Sequence, residues 1–254
     1  MRGINQEAAA SSDFDWSPSD HPLFLQSHIF LCRRKRHWVI LDVQRDKYLC
    51  IGRRQFESLG PWLHGWKPAT GQDERGASLP RDDVVALAKK LLAINILSDD
   101  SECAKDACAS AYCLPTETLG DTPTSRRALL GLAPRFFRSL SQASRQLRTQ
   151  CFAAVVSDVQ ARKPRGLTAE FEMDRARCLS SGFHKLRLFY DHPYQCLFDS
   201  LALLNFLACF DLYPDWVFGV EAEPFEAHCW VQSGSVVLND TVERVCAFTP
   251  IMHI

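Results

Sequence analysis

The run of residues from Cys196 to Phe210 constrains the fold of this chain more than any other segment does. Twelve of its fifteen residues are apolar, and a helix that is apolar on every side is typical of the centre of a domain. Asp191 and Pro193 precede the run and suit a helix cap and a first helical position. The sequence therefore predicts a buried helix with a cysteine in its first turn, where a cysteine also fits as a small core hydrophobe.

Length and charge exclude several classes of protein. The chain has 254 residues, of which 46% are hydrophobic, and a formal net charge of -1. This length predicts one large or two modest domains, and the near-neutral charge gives no reason to expect nucleic acid as a partner. No apolar run reaches the ~18 residues that a membrane span needs. The N-terminal residues lack the apolar core of a signal peptide, so we expect a cytoplasmic protein.

The eleven cysteines do not form the patterns of a disulfide framework or a metal site. An odd count in a chain of this length fits a secreted disulfide scaffold poorly. No Cys-x-x-Cys pair occurs in the sequence, and such pairs are the usual signature of structural zinc. We therefore expect reduced thiols, no metal and no cofactor.

The N-terminal part of the chain has the pattern of a small α+β unit. Residues 28–33, 37–43 and 47–51 have the composition of three short strands joined by polar turns. Two helical patterns follow, with apolar faces formed by Phe56, Leu59 and Leu63 in the first and by Val84, Leu87, Leu91 and Ile94 in the second. Three strands followed by helices predict an α+β domain with an open sheet edge.

The rest of the chain predicts a linker and a second α+β domain. The linker is small, polar and turn-forming, and beyond it helical patterns give way to the period of strands. The helical ranges are 126–165 and 168–189, and the strands are 215–220, 227–232 and 235–240. The predicted divisions are a ragged start at 1–21, an N-terminal domain at 22–98, a linker at 99–125 and a second domain at 126–254.

The helical region 126–165 is strongly basic. It holds nine Arg and Lys residues and a single acid, Asp158. Such a run indicates either a solvated helix face or a docking surface for an acidic partner.

Cys196, His228 and Asp240 have the chain order and the predicted element types of a thiol enzyme. A nucleophilic cysteine needs a lowered pKa, a general base and a group that orients the base, and a helix N-terminus favours a thiolate by up to ~1 kcal/mol. A hairpin with an odd-length loop centred on Gly234 pairs His228 with Asp240, whereas a two-residue loop pairs it with Asn239. Either side chain can orient an imidazole, so both are candidates on these grounds.

The segment from Cys196 to Asp240 resembles the transglutaminase-like leader peptidase of lasso-peptide biosynthesis, the B protein. That family shows a Cys-Leu helix, a Gly-Val pair, an Ala-His-x-Trp-Val strand and a Leu-Asn-Asp sequence. The corresponding residues here are Cys196-Leu197, Gly219-Val220, Ala227-His228-x-Trp230-Val231 and Leu238-Asn239-Asp240. The resemblance implies a papain- or transglutaminase-like fold, helices followed by an antiparallel sheet, with the catalytic residues Cys196, His228 and Asp240.

The N-terminal zone is similar to the winged-helix-like peptide-recognition element of ribosomal-peptide modifying systems. The resemblance implies a fused protein that binds the leader of a precursor peptide and cleaves it off. A separate ATP-dependent, asparagine-synthetase-like cyclase then closes the core peptide. We expect the leader to add to the open strand edge and to contact the second helix. The residues predicted to bind it are Tyr48, Leu49, Cys50, Val84, Leu87 and Leu91.

Two alternative functions use the same residues. One is a non-catalytic scaffold that delivers the leader peptide to the cyclase. The other is a true transglutaminase, in which an amine rather than water resolves the acyl-enzyme.

Overall fold

The structure is a computed structural model that describes residues 22–66, 80–100, 104–105, 112–120, 122–163 and 172–254. The strands of the described residues are β1 (Phe24–Gln26), β2 (Ile29–Arg34), β3 (His37–Asp42), β4 (Lys47–Gly52), β5 (Leu97–Ser98), β6 (Ala104–Lys105), β7 (Glu117–Thr118), β8 (Asp215–Ala222), β9 (Phe225–Ser233), β10 (Val236–Val237) and β11 (Thr249–His253). The helices are α1 (Arg53–Glu57), α2 (Arg81–Ala93), α3 (Arg126–Thr149), α4 (Phe152–Ala161), α5 (Met173–Arg187), α6 (Cys196–Ala208) and α7 (Val242–Val245), with a short 3₁₀ turn at Gly60–Trp62.

The chain divides into two compact units. The smaller unit comprises Met1–Ser27 and Arg54–Ala107, and the larger unit comprises His28–Arg53 and Cys108–Ile254. Within the smaller unit, β1 lies between β5 and β6 in an antiparallel sheet. The helix α2 buries Val84, Ala88 and Leu91. Of the predicted apolar face, Leu87 and Ile94 are only partly buried.

The larger unit is built around the apolar helix α6. A five-stranded sheet has the order β11-β8-β9-β10-β7, antiparallel except where β10 runs parallel to β7. The helix α6 packs against β9 on one side and against α3 on another. Ten consecutive residues of α6, from Phe198 to Leu207, are buried. The predicted core helix and the mixed α+β architecture, with three strands followed by helices and later helices followed by an antiparallel sheet, are therefore confirmed.

The three-stranded sheet β2-β3-β4 shares the core of the larger unit. Its buried residues Cys32, Val39 and Leu41 belong to the same hydrophobic cluster as the residues of α6. Ion pairs hold it at the β8–β9 turn, where Arg34 Nε lies 3.0 Å from Glu221 Oε2. The predicted division at 22–98 places these strands in a separate N-terminal domain, which differs from the observed grouping of strands and core.

Two local predictions are wrong. The helix α6 begins at Cys196 with Gln195 as its extended cap, so Pro193 lies outside the helix. In the segment before the helix, Arg187 donates hydrogen bonds to the carbonyl oxygens of Tyr190 and His192. Part of the predicted linker is also ordered against the sheet, because β7 pairs with β10. Among the described residues, no helix is long and apolar enough to cross a membrane.

Candidate active site

Cys196 is the first residue of α6, where the backbone N–H groups of a helix have no partner within the helix. The side chain is partly exposed. The hydroxyl of Ser200 donates to the carbonyl oxygen of Cys196 at 2.6 Å, and it accepts a hydrogen bond from Trp216 Nε1 at 2.9 Å. The first turn of α6 is therefore tied to β8, which fixes the position of the thiol.

His228 and Asp240 are in direct contact. His228 Nε2 lies 2.6 Å from Asp240 Oδ2, and both side chains are more than nine-tenths buried. The other carboxylate oxygen of Asp240 accepts from the backbone N–H of Thr241 at 2.8 Å. This backbone hydrogen bond fixes the carboxylate, which is therefore able to orient the imidazole.

This contact does not come from the predicted ladder register, which is wrong. The hairpin turns at Gly234 and Ser235, so Ser233 pairs with Val236 and Gln232 with Val237. A φ of +54° at the first turn residue favours the glycine there. Strand β10 ends at Val237, and the chain then bends away from the ladder to bring Asp240 over the imidazole.

Asn239 fixes the point at which the chain leaves the sheet. Its side-chain Oδ1 accepts from the backbone N–H of Val231 at 2.7 Å, where a strand carbonyl would normally sit. The backbone N–H of Leu238 donates to Val231 O at 2.8 Å. Asn239 therefore acts on the backbone of β9, whereas Asp240 acts on His228.

The three predicted catalytic side chains form one electrostatic unit. Hydrogen bonds from the Cys229 and His228 side chains lower the pKa of Cys196 to about 4, against the opposing effect of burial. Burial opposes the charge on His228, but hydrogen bonds to Asp240 and Cys196 raise its pKa to about 9. Between these values the pair exists as a thiolate and an imidazolium, which is the reactive form of a thiol nucleophile.

Cys229 is a buried thiol that interacts with Cys196 and that the sequence patterns do not single out. Burial and the neighbouring Cys196 raise the pKa of the Cys229 thiol, which therefore keeps its proton and donates it towards the thiolate. Its sulfur lies 3.4 Å from Ser200 Oγ. In the sequence, only its position next to His228 points to this contact.

Aromatic rings hold the imidazole in place. His228 stacks on Trp230 with ring centroids 6.0 Å apart and lies 5.1 Å from the Phe248 ring. Gly219 faces His228 across the β8–β9 ladder. A Cβ at Gly219 would come within 2.9 Å of the Trp230 ring and of Phe248 Cβ, so these two side chains require glycine at that position.

The predicted leader-binding residues fall into two groups. Tyr48, Leu49 and Cys50 lie on β4, the outer strand of the three-stranded sheet, in the same unit as Cys196. The second group lies on α2 in the smaller unit. It consists of Val84 and Leu91, which are buried, and Leu87, which is partly exposed.

The Tyr48 ring also borders the site. It packs against the half-exposed Phe225 at 5.5 Å between ring centroids. Burial and the neighbouring Cys229 raise the pKa of the Tyr48 phenol.

A family model described as the transglutaminase-like superfamily matches residues 138–253. Residues 138–253 are therefore similar to a transglutaminase-like domain. The matched range contains Cys196, His228 and Asp240. A domain of this superfamily indicates activity of the cysteine protease or acyltransferase type. No curated protein and no solved structure matched the chain in the other two comparisons.

The first prediction concerns the hydrogen bond from Cys229. Replacing Cys229 with alanine removes the donor, so the pKa of Cys196 should rise, and the pH at which its alkylation by iodoacetamide is half-maximal should move up from about 4 by the same amount. Peptide mass spectrometry would follow Cys196 separately from the other thiols. Cys209→Ala, at the exposed end of α6, is the matched control. An unchanged midpoint for Cys229→Ala would mean that the Cys229 side chain is only a packing residue.

Proposed function

We propose that this protein is a cysteine peptidase that removes the leader from a ribosomally made precursor peptide. The observation that supports this most is the lowered pKa of Cys196 beside a buried His228–Asp240 pair. The Cys-Leu, Ala-His-x-Trp-Val and Leu-Asn-Asp sequences favour the lasso-peptide branch of the transglutaminase-like superfamily. The partners in that case are the precursor peptide and an asparagine-synthetase-like cyclase.

The proposed reaction follows the thiol-protease course. The Cys196 thiolate attacks the scissile carbonyl carbon, and the backbone N–H of Cys196 at the helix terminus stabilises the oxyanion. The His228 imidazolium gives its proton to the leaving amine, which departs as the new N-terminus of the core peptide. Water then attacks the thioester while His228 accepts a proton, releasing the leader carboxylate and the free thiol. Asp240 keeps the imidazole oriented throughout.

The outer edge of β4 is the proposed binding site for the leader. Arg53 N–H donates to Arg36 O at 2.8 Å. These two residues are therefore a hydrogen-bonded pair at the end of the β3–β4 ladder. Because hydrogen-bonded and non-hydrogen-bonded pairs alternate in an antiparallel ladder, the N–H groups of Tyr48 and Cys50 face away from β3. An extended peptide can pair with outward groups of this kind. Of the predicted α2 residues, the partly exposed Leu87 is the one with accessible side-chain surface.

The second prediction tests this edge. Cys50→Pro removes an outward N–H while leaving the β3–β4 hydrogen bonds intact, so leader affinity should fall at least tenfold. Cys50→Ala keeps the N–H and changes only the side chain, and it should bind normally. Fluorescence anisotropy of a labelled leader peptide on the full-length chain measures both. Equal affinities for the two variants would place the leader elsewhere.

Mass spectrometry of a precursor peptide incubated with the protein distinguishes the candidate functions. Release of a leader with a new carboxylate supports the peptidase. Attachment of an amine to the acyl group identifies a transglutaminase, and an unaltered precursor that remains bound identifies a scaffold. A short gene for a precursor peptide, found together with a cyclase gene beside the gene for this chain, would identify the peptide to use in this experiment.

A further inference from the structure

We infer that Arg187 and Asp199 form a positioning pair, which fixes the backbone of Cys196 so that its thiol meets His228. The inference deepens the proposed function and rests on it. Arg187 Nε lies 2.5 Å from Asp199 Oδ1, and the two side chains are 12% and 3% exposed. Arg187 is the last residue of α5, and Asp199 lies in the first turn of α6.

The guanidinium of Arg187 fastens the segment that leads to the nucleophile. Its Nη1 donates to Tyr190 O at 2.8 Å, and its Nη2 donates to His192 O at 2.9 Å. The same group lies 5.2 Å from the centre of the Tyr190 ring. A planar guanidinium holds several acceptors in fixed directions, so this one cation sets the course of the chain between α5 and α6.

The carboxylate of Asp199 continues the same network to the residue before Cys196. Its Oδ2 accepts from the backbone N–H of Gln195 at 2.8 Å. On the other side, Ser200 holds the carbonyl oxygen of Cys196. The backbone of Cys196 is therefore fixed from both directions, and a shift on either side would move the thiol relative to His228.

A role in stability alone does not account for this arrangement. A buried ion pair often contributes little net stability compared with apolar residues of the same size. Here the other hydrogen bonds of Arg187 and Asp199 go to backbone groups in the turn before Cys196. Since catalytic groups must be held within about 0.5 Å of their productive geometry, such a network serves to position the nucleophile.

Alkylation of Cys196 tests the inference without any peptide substrate. We expect Asp199→Asn to lower the iodoacetamide reaction rate of Cys196 at pH 6 at least tenfold, because the displaced thiol loses its contacts with His228 and Cys229. Asp42→Asn is the matched control in the same unit. Asp42 is 2% exposed and likewise accepts from an arginine, Arg45, and from a backbone N–H. Melting temperatures of both variants separate a local shift from unfolding.

Arg187→Lys provides a second variant, which keeps the charge but loses the fixed geometry of the guanidinium. Its alkylation rate should lie between those of the wild type and Asp199→Asn. If Asp199→Asn does not fold, Arg187→Lys alone tests the inference. Wild-type rates in the folded Arg187→Lys and Asp199→Asn proteins would overturn the inference. A wild-type protein that alkylates rapidly at pH 6 but leaves precursors intact would instead count against the proposed peptidase, so the two failures are distinguishable.

Discussion

Cys196→Ala is expected to give a folded protein that binds leader peptide with wild-type affinity and does not cleave it. The substitution removes one sulfur from a partly exposed position at the end of a helix, so the free energy of unfolding should change little. The nucleophile is lost, and cleavage should fall ~10⁴-fold or more. Single-turnover cleavage followed by mass spectrometry measures the loss, and anisotropy measures the binding.

Cys209→Ala is the control for this experiment. Cys209 lies just beyond the other end of α6 and is exposed, so its loss should leave cleavage within a few-fold of wild type. If Cys196→Ala cleaves at that rate as well, a thiol mechanism at this site is wrong.

Asp240→Ala should reduce turnover about 10³–10⁴-fold, because His228 loses both its orienting partner and its compensating charge. Asn239→Ala should act mainly on stability, at a cost of about 1–3 kcal/mol, since it leaves the Val231 N–H without an acceptor. Asp240→Asn keeps the shape of the side chain without its charge and should lie between wild type and Asp240→Ala. Single-turnover cleavage and melting temperatures, measured on all three variants, separate the two effects.

The adjacent pair Asn239 and Asp240 makes this comparison sharp. Both residues lie in the same bend, yet their side chains contact different parts of β9. A folded Asn239→Ala protein with no activity, together with a nearly normal Asp240→Ala protein, would assign the orienting role to Asn239 instead.

The elements that could be predicted from the sequence have strong local patterns. Fifteen largely apolar residues predicted the buried helix α6, and runs of β-branched and aromatic residues predicted β2, β3, β4, β8 and β9. The short strands β1, β5, β6 and β7 have two or three residues each, too few for a period. Strand β11 contains Pro250 beside a register shift, and proline argues against a strand in any sequence pattern.

The site shows where local patterns stop being sufficient. The predicted pairing of Asp240 with His228 requires a ladder that extends beyond Val237, whereas the observed strand ends there and has a different register. The contact between the two side chains comes from the bend beyond the strand. The partner of Asp199 lies twelve residues earlier, at the end of another helix, and in the sequence Asp199 is only an interruption of an apolar run. The shared core of α6 and the three-stranded sheet depends on long-range packing that periodicity does not encode.

The pH dependence of Cys196 alkylation, followed by peptide mass spectrometry from about pH 3.5 to pH 10, addresses the nucleophile itself. The lowered pKa of Cys196, about 4, predicts thiolate reactivity that persists down to that pH, and the raised pKa of His228 predicts a second change near pH 9 as the imidazolium loses its proton. The exposed Cys209 serves as an internal reference in the same digest. A Cys196 that reacts only with an apparent pKa near ~8.5, as an unperturbed thiol does, would contradict the activated Cys196–His228–Asp240 site.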